Sequence, residues 1–160
     1  MTYQFPVNRR IILQITHQTD NLLMEQNVTF AVVGIELLEF SIKSYDKVIP
    51  ENTPYKYNIN IDHRFNINQK NMFVIASVEI FGGNEEAELC TAKVSCIYNI
   101  DNLPDFVKEK KVELPEQFII TINSISLSTV RGVLFTLFRG THLHNLILPI
   151  LDPKEFKSSK

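Results

Sequence analysis

Two of the four histidines and both cysteines form closely spaced pairs that could do chemistry. His142 and His144 would share one side of an extended segment, but two imidazoles without a third ligand do not make a metal site. Cys90 and Cys96 would lie on one face of a strand, too far apart along it for a direct disulfide. The spacing therefore predicts no metal site and two buried free thiols, as in a reducing compartment.

Motifs that carry catalysis are absent from the sequence. It has no glycine-rich phosphate loop, no nucleophile elbow and no HExxH motif. Glu36 and Glu39 are three residues apart, which in a regular strand places them on opposite faces. We expect no catalytic residues and no cofactor. The alternative is a small helix-on-sheet enzyme, such as a hot-dog-like thioesterase, whose residues only the fold would gather.

Composition limits the classes of partner. Sixteen Lys and Arg residues against 18 Asp and Glu residues give a net charge of −2, which argues against nucleic-acid binding. The apolar run at Ile11–Leu13 is too short for a signal peptide, and no uninterrupted apolar stretch approaches the roughly 18 residues of a membrane span. The sequence predicts a cytoplasmic protein without membrane insertion.

Alternating apolar and polar residues predict an antiparallel sheet. The alternation is unbroken from Tyr55 to Asn68, which indicates a strand with one buried and one exposed face. Strands are also predicted over 72–81 and 87–99, forming a meander with turns near Lys70 and Gly83. A further strand over 29–43 is apolar on both faces, with Phe30, Val32, Leu38, Phe40 and Ile42 predicted on one and Ala31, Val33, Ile35 and Leu37 on the other.

A long helix should follow the sheet. Pro115–Glu116 suits a helix start, and Gly140 suits a stop. Residues 105–113 are expected to form a solvated helical turn. Residues 1–28 have no clear period and could form a short helix or cap a sheet edge.

The order of these elements and a few short motifs resemble the SecB family of protein-export chaperones. Arg139–Gly140–Thr141, an apolar segment ending at Pro149, and the Leu89–Cys90 pair have counterparts there. The resemblance covers residues 29–152, with 1–28 as an N-terminal extension and 153–160 as a flexible tail. It implies an α+β fold: a four-stranded antiparallel sheet with a long crossover loop, packed with one long C-terminal helix.

The resemblance also implies an assembly and its sites. A homotetramer, a dimer of dimers, would form through the helix at Ile122, Ile125, Thr129, Val133 and Leu137. Contact with the SecA motor would involve Glu39 and Leu89. The family continues after the proline with a second helix, which we expect to be missing here. Client polypeptides would bind at exposed apolar and aromatic residues in and beside the crossover loop: Phe40, Ile42, Tyr45, Val48, Ile49, Tyr55 and Tyr57.

The function predicted on this basis is that of a holdase for unfolded or precursor polypeptides, with a role in protein export. Two alternatives stay open. One is a SecB-like chaperone dedicated to a single partner such as an antitoxin. The other is a structural or adaptor oligomer that is not a chaperone.

Overall fold

In the described part of the chain, seven strands, one short 3₁₀ helix and one long helix follow one another. The computed structural model describes residues 11–17, 24–44, 54–82, 87–109 and 111–152, and the side chains of 27 onward within these ranges. The strands are β1 (Ile11–His17), β2 (Met24–Ile42), β3 (Tyr55–Asn66), β4 (Asn71–Gly82), β5 (Ala87–Ile100), β6 (Val107–Lys108) and β7 (Lys111–Val112), and the helix α1 is Glu116–Leu137.

The main sheet is antiparallel and has the order β1-β2-β5-β4-β3. The meander β3-β4-β5 is the predicted one, with the first turn at Ile67–Lys70, where Lys70 has a φ of 56°. β2 pairs with β5 and not with β3, so the connection between β2 and β3 passes two strands at one end of the sheet. The predicted fold class, an antiparallel sheet with a crossover connection and one long helix, is confirmed.

A fifth strand extends the predicted four-stranded sheet. β1 pairs with the first part of β2, from Ile11 opposite Phe30 to His17 opposite Met24. Of the two interpretations left open for residues 1–28, the described part follows the sheet edge. β2 runs straight through the predicted boundary at residue 28, so residues 24–28 belong to the sheet.

Two β-bulges in β2 change which residues face the helix. The pairing with β5 shifts between Val32 and Gly34 and again between Leu37 and Glu39. Because a bulge adds one residue to a strand, it reverses the side of the sheet on which the next residue lies. The predicted faces of β2 are therefore wrong at two positions: Ile35 and Leu37 lie opposite the buried Cys96 and Val94 on the helix side. The second bulge also places Glu36 and Glu39 on the same outer face, contrary to the regular alternation.

Helix α1 begins directly after Pro115, as predicted, and ends two residues before Arg139. Gly140 has a φ of 79°, the left-handed conformation that favours glycine, and the chain reverses there. By length and composition α1 could cross a membrane, but here it is packed on the sheet. Its side chains at 118, 122, 126, 130 and 134 recur every four residues and are buried.

The segment between β5 and α1 differs from the predicted helical turn. A short 3₁₀ helix spans Leu103–Phe106 and buries both of its end residues. The charged residues after it form the small hairpin β6-β7, in which Val107 pairs with Val112. Leu103 and Phe106 join Phe30, Phe118 and Ile122 in the core beneath the first turns of α1.

Candidate functional site

One helix is too narrow to cover this sheet. Five strands at a spacing of about 4.8 Å span roughly 19 Å, whereas a helix with its side chains is about 10 Å across. α1 lies mainly over β4 and β5, where Val74, Ala76, Val78 and Val94 are at most 1% exposed, and its two ends also contact β2 at Phe30 and Phe40. The apolar side chains of the flanking strands β2 and β3 are covered less completely.

Of the eight exposed large apolar side chains in the described part of the chain, five are on β2. Val32, Ile35 and Leu37 face the helix side, yet they are 43%, 52% and 46% exposed. The bulge residues Val33 and Leu38 are each 49% exposed. Beyond Phe30 no described strand pairs with the outer edge of β2. We call this surface, Val32 to Leu38 with its open edge, the β2 flank.

The fold brings four of the predicted client-binding residues to one end of the sheet. Ile42, Cys90, Ile80 and Tyr57 form a single row across four strands, so Ile42 and Tyr57 lie at its two ends. Tyr55, Tyr57, Phe40 and Ile42 are all half-buried against the same hydrophobic cluster.

Two observations describe the environment of these four residues. The ring of Phe40 lies 6.5 Å from that of Phe138, centroid to centroid. Burial, with a smaller effect of Tyr55, raises the pKa of the Tyr57 hydroxyl. The other three predicted client-binding residues, Tyr45, Val48 and Ile49, lie outside the described residues, in the connection that leaves from this same end.

The segment after α1 fills part of this end. We call residues 141–152 the tail segment. It has no helix or strand, and it buries Leu143, Leu146 and Leu148 to between 1% and 6% exposure against Ala76, Val78 and Ile80. Arg131 on α1 donates from Nε to the carbonyl of Leu148 (3.0 Å) and from Nη2 to that of Pro149 (2.9 Å).

Sequence reasoning missed this arrangement. It identified an apolar segment ending in Pro149, but neither its three buried leucines nor the role of Arg131 follows from local spacing. Only the reversal at Gly140, which turns the chain back along α1, brings these residues together.

The residues predicted for a helix interface do not share one environment. Ile122 is fully buried against this chain's own sheet, so its side chain is covered without a partner. Ile125, Val133 and Leu137 are half-buried along the margins of the core, and the Thr129 hydroxyl donates to the carbonyl of Ile125 (2.9 Å). The exposed positions beside them are small, including Ser128 and Gly132.

The predicted contact with a motor protein is wrong for Leu89. The register shift at Ile80–Phe81 turns Leu89 into the core, where it is 0% exposed, and a Cβ at Gly82 would lie 2.6 Å from its Cδ1. Glu39 is exposed, but its carboxylate is 3.5 Å from the Lys93 ammonium.

Burial raises the pKa of three titratable groups in the core. Burial raises the pKa of Cys90 to about 11, and Glu88 adds to this effect. Cys96, also a free thiol, has its pKa raised by burial. Tyr98 Oη and Ser126 Oγ are hydrogen-bonded at 2.7 Å, and burial raises the Tyr98 pKa.

The two histidines after the end of α1 lie in the turns that follow it and do not form a metal site with other described residues. His144 Nδ1 accepts from the backbone N–H of Gly140 (3.1 Å), and His142 is exposed. Within the described ranges, no three His, Cys, Asp or Glu side chains are grouped so that they could hold a metal ion.

A polar cavity of about 440 Å³ lies at the other end of the molecule, where α1 begins. Its walls include Asn27, Asn102, Lys108 and Glu113. Lys108 and Glu113 pair at 3.2 Å, and Asn102 Nδ2 donates to the carbonyl of Asn27 (2.9 Å). None of the predicted client-binding residues borders it, and its polar lining does not suit an apolar client.

Comparisons with known proteins agree with this architecture. No protein-family model and no curated protein matches the sequence. Among solved structures, the chain is similar to the SecB-like chaperone Rv1957 of Mycobacterium tuberculosis, solved in complex with a ChAD peptide from the Rv1956 HigA1 antitoxin. The TM-score is 0.56 at 14% sequence identity, and the match covers 76% of this chain and 89% of that one. The chain thus has the SecB-like fold, as the resemblance in its sequence implied.

Proposed function

We propose that this chain is a non-enzymatic chaperone, a holdase that binds unfolded or precursor polypeptides in the cytoplasm. The observation that carries the proposal is the incomplete cover of the sheet: on one face, apolar side chains of β2 are 43–52% exposed and those of β3 are only partly buried. Contiguous apolar surface of this kind is characteristic of interaction sites. The proposed function is binding alone and assigns no catalytic residues.

Binding would rest on area and not on sequence. Apolar burial contributes about 25 cal/mol per Å², so a client segment gains affinity from any apolar side chains it places on Phe40, Ile42, Tyr55 and Tyr57. Tyrosine offers a large contact area with a polar tip. The outer edge of β3, which pairs with no described strand, could add main-chain hydrogen bonds to an extended client.

The β2 flank would bind a second copy of this chain. A two-fold axis near Ile35 would place Ile35 opposite its counterpart and Glu36 opposite Gly34, which keeps like charges apart in an antiparallel strand pair. A second interface would use the small residues of α1 beside Ile125, Thr129, Val133 and Leu137. Two different interfaces are what a dimer of dimers requires, and several client sites on one oligomer would hold a long chain through multivalency.

The kind of client is the open choice within this proposal. A peptide from an antitoxin is bound in the structurally similar Rv1957 complex, which favours the alternative of a chaperone dedicated to one partner. Because Leu89 is buried and Glu39 is paired with Lys93, we do not extend the proposal to SecA. An adaptor oligomer would bind one folded protein and no unfolded chains.

An aggregation assay with several unrelated denatured proteins tests the proposal. A general holdase should delay the aggregation of all of them in proportion to its concentration. Protection of a single protein would indicate a dedicated chaperone, and protection of none would refute the proposal.

A variant pair on β3 localises the client site. Tyr57→Ser removes a half-buried aromatic ring from the helix side and should weaken protection several-fold. Asn60→Ser changes an exposed residue on the opposite face of the same strand and should leave protection unchanged. Equal effects of the two would place the client site elsewhere, and circular dichroism would verify that both variants are folded.

A further inference from the structure

The tail segment lies against the sheet much as a bound peptide would. Leu143, Leu146 and Leu148 are buried, whereas Ile147 between them is 57% exposed and Ile150 is 90% exposed. One side of an irregular segment is thus embedded and the other faces solvent. Its buried leucines touch the same hydrophobic cluster as Tyr55 and Tyr57, which belong to the client site proposed above.

The hydrogen bonds from Arg131 to this segment go to its main chain. Arg131 donates to two successive main-chain carbonyls, those of Leu148 and Pro149, and every residue type carries such a carbonyl. Proline has no N–H and cannot pair as an inner strand, but its carbonyl is available to the guanidinium. The remaining interactions are burial of apolar side chains, which any leucine-rich segment could supply.

The tail segment is joined to α1 through local turns. Thr141 N–H donates to the Phe138 carbonyl (3.0 Å), His144 N–H to that of Thr141 (3.1 Å), and Leu146 N–H to that of Leu143 (2.8 Å). These bonds lie within the segment or at the helix end and do not tie it to the sheet. The segment can therefore leave the sheet without breaking a strand pairing.

We propose that residues 143–149 act as an internal ligand: they occupy a groove between α1 and β3–β4 that binds an extended, leucine-rich segment of a client, and the client displaces them. The inference rests on the proposed function, and it assigns to that site a ligand chemistry, apolar side chains at positions i, i+3 and i+5 followed by two carbonyls on Arg131. The apparent affinity for clients is lowered by the fraction of molecules in which the tail segment is docked.

A matched pair of variants in the full chain tests the competition. Leu146→Ser removes one buried leucine from the internal ligand and nothing from the groove, so clients should bind at least ~10-fold more tightly. Ile147→Ser changes the adjacent, exposed residue and should leave client affinity unchanged. Client binding would be measured with a fluorescently labelled, reduced and carboxymethylated protein. If Leu146→Ser binds clients no more tightly than the unaltered chain, the tail segment is part of the core only.

A probe on the tail segment gives a second readout in a chain with an unaltered groove. Ile150→Cys offers an exposed thiol for a fluorophore, while Cys90 and Cys96 are buried. Saturation with client should lower the anisotropy of the probe, at the same concentrations at which the client binds. An unchanged anisotropy at saturation would overturn the inference and leave the proposed function standing.

A synthetic peptide of residues 141–152 separates the two proposals further. It should displace the probe-labelled tail segment and compete with clients, and the same peptide with Leu146→Ser should do neither. If the chain binds no denatured protein at all, the proposed function fails. In that case, displacement of the labelled tail segment by the peptide still decides whether the groove binds a leucine-rich segment.

Discussion

At the scale of single residues, one of two buried serines has a hydrogen-bond partner for its hydroxyl and the other has none among the described residues. Ser126 Oγ bonds Tyr98 Oη at 2.7 Å, whereas Ser95 Oγ, on the outer face of β5, has no hydrogen-bond partner in the described part of the chain. A buried hydroxyl without a partner costs free energy, while a satisfied one contributes to stability.

We therefore expect opposite results from the same substitution at these two sites. Ser126→Ala removes the oxygen partner of the buried Tyr98 hydroxyl and leaves it only the weaker Cys96 thiol, so it should lower the free energy of unfolding by about 1–3 kcal/mol. Ser95→Ala should leave it unchanged within about 0.5 kcal/mol or raise it. Urea unfolding of the two variants measures both values, and equal losses would contradict the assigned hydrogen bond.

The raised pKa of Cys90 predicts a loss of stability at high pH. In the unfolded chain a cysteine loses its proton above about pH 8.5, but burial keeps the folded thiol protonated until about pH 11. Between these pH values the folded state binds more protons than the unfolded state. The contribution of Cys90 to the free energy of unfolding is therefore fully present below about pH 8.5 and is lost as the pH rises towards 11.

The corresponding experiment compares pH profiles and not absolute stabilities. Urea unfolding of Cys90→Ala between pH 7 and 11 should show a shallower decline than that of the unaltered chain. Cys96 and Tyr98, whose pKa values are also raised by burial, remain in both proteins and serve as an internal reference. Parallel profiles would show that the Cys90 thiolate is tolerated in the folded state.

Residue patterns in the sequence predicted some of these environments and not others. The alternation in β3 assigned the inward side of Tyr55 and Tyr57 correctly, because regular strands leave no freedom in side-chain direction. The burial of Leu89 could not be read in the same way, since the bulge opposite Ile80 depends on pairing with another strand. Arg131 was equally uninformative, because its acceptors lie 17 and 18 residues away along the chain.

At the scale of elements, β2 shows why an apolar pattern can indicate a strand and still mislead about its faces. Its apolar residues on both sides predicted a strand covered twice. Two bulges instead direct Val32, Ile35 and Leu37 to the helix side, where α1 does not reach them. Apart from Gly34 at the first bulge, no local sequence signal marks these bulges. The periodicity therefore predicted the strand but not its register.

The exposed side of α1 allows a test of the helix interface. A Cβ at Gly132 would meet nothing within 4 Å in this chain, so a single chain gives no reason for glycine in mid-helix. Gly132→Ala should raise the thermal stability of the dissociated chain, by up to about 1 kcal/mol from helix propensity. If α1 packs closely on a second helix, the added methyl group should weaken association.

Mass measured by light scattering over a range of concentrations separates the two effects. We expect Gly132→Ala to dissociate at higher concentration than the unaltered chain. Gln117→Ala, in the exposed first turn of α1, is the control and should assemble normally. Unchanged association of Gly132→Ala would remove this face of α1 from the assembly.

At the scale of the whole molecule, the ratio of sheet width to helix width explains why apolar side chains of β2 remain exposed. The helix covers mainly β4 and β5, the tail segment packs into the same hydrophobic cluster, and the β2 flank is left exposed. In a chaperone with the SecB-like fold, one uncovered surface would serve assembly and the other would serve clients. The sequence predicted the sheet, the helix and their order, but the division of surfaces depends on which strands the helix covers.

A charge placed on the β2 flank tests that division. Ile35 is 52% exposed, so Ile35→Asp should be tolerated in the isolated chain, where the carboxylate stays in water. At a strand-to-strand interface the same carboxylate would be buried beside its symmetry mate, and two unpaired buried charges cost several kcal/mol. Light scattering should therefore show a smaller species with an unchanged circular dichroism spectrum.

Ser41→Asp, on the outer face of the same strand, is the matched control and should keep the native mass. A full-size assembly from Ile35→Asp would mean that the flank is free in the oligomer, and its apolar residues would then belong to the client surface.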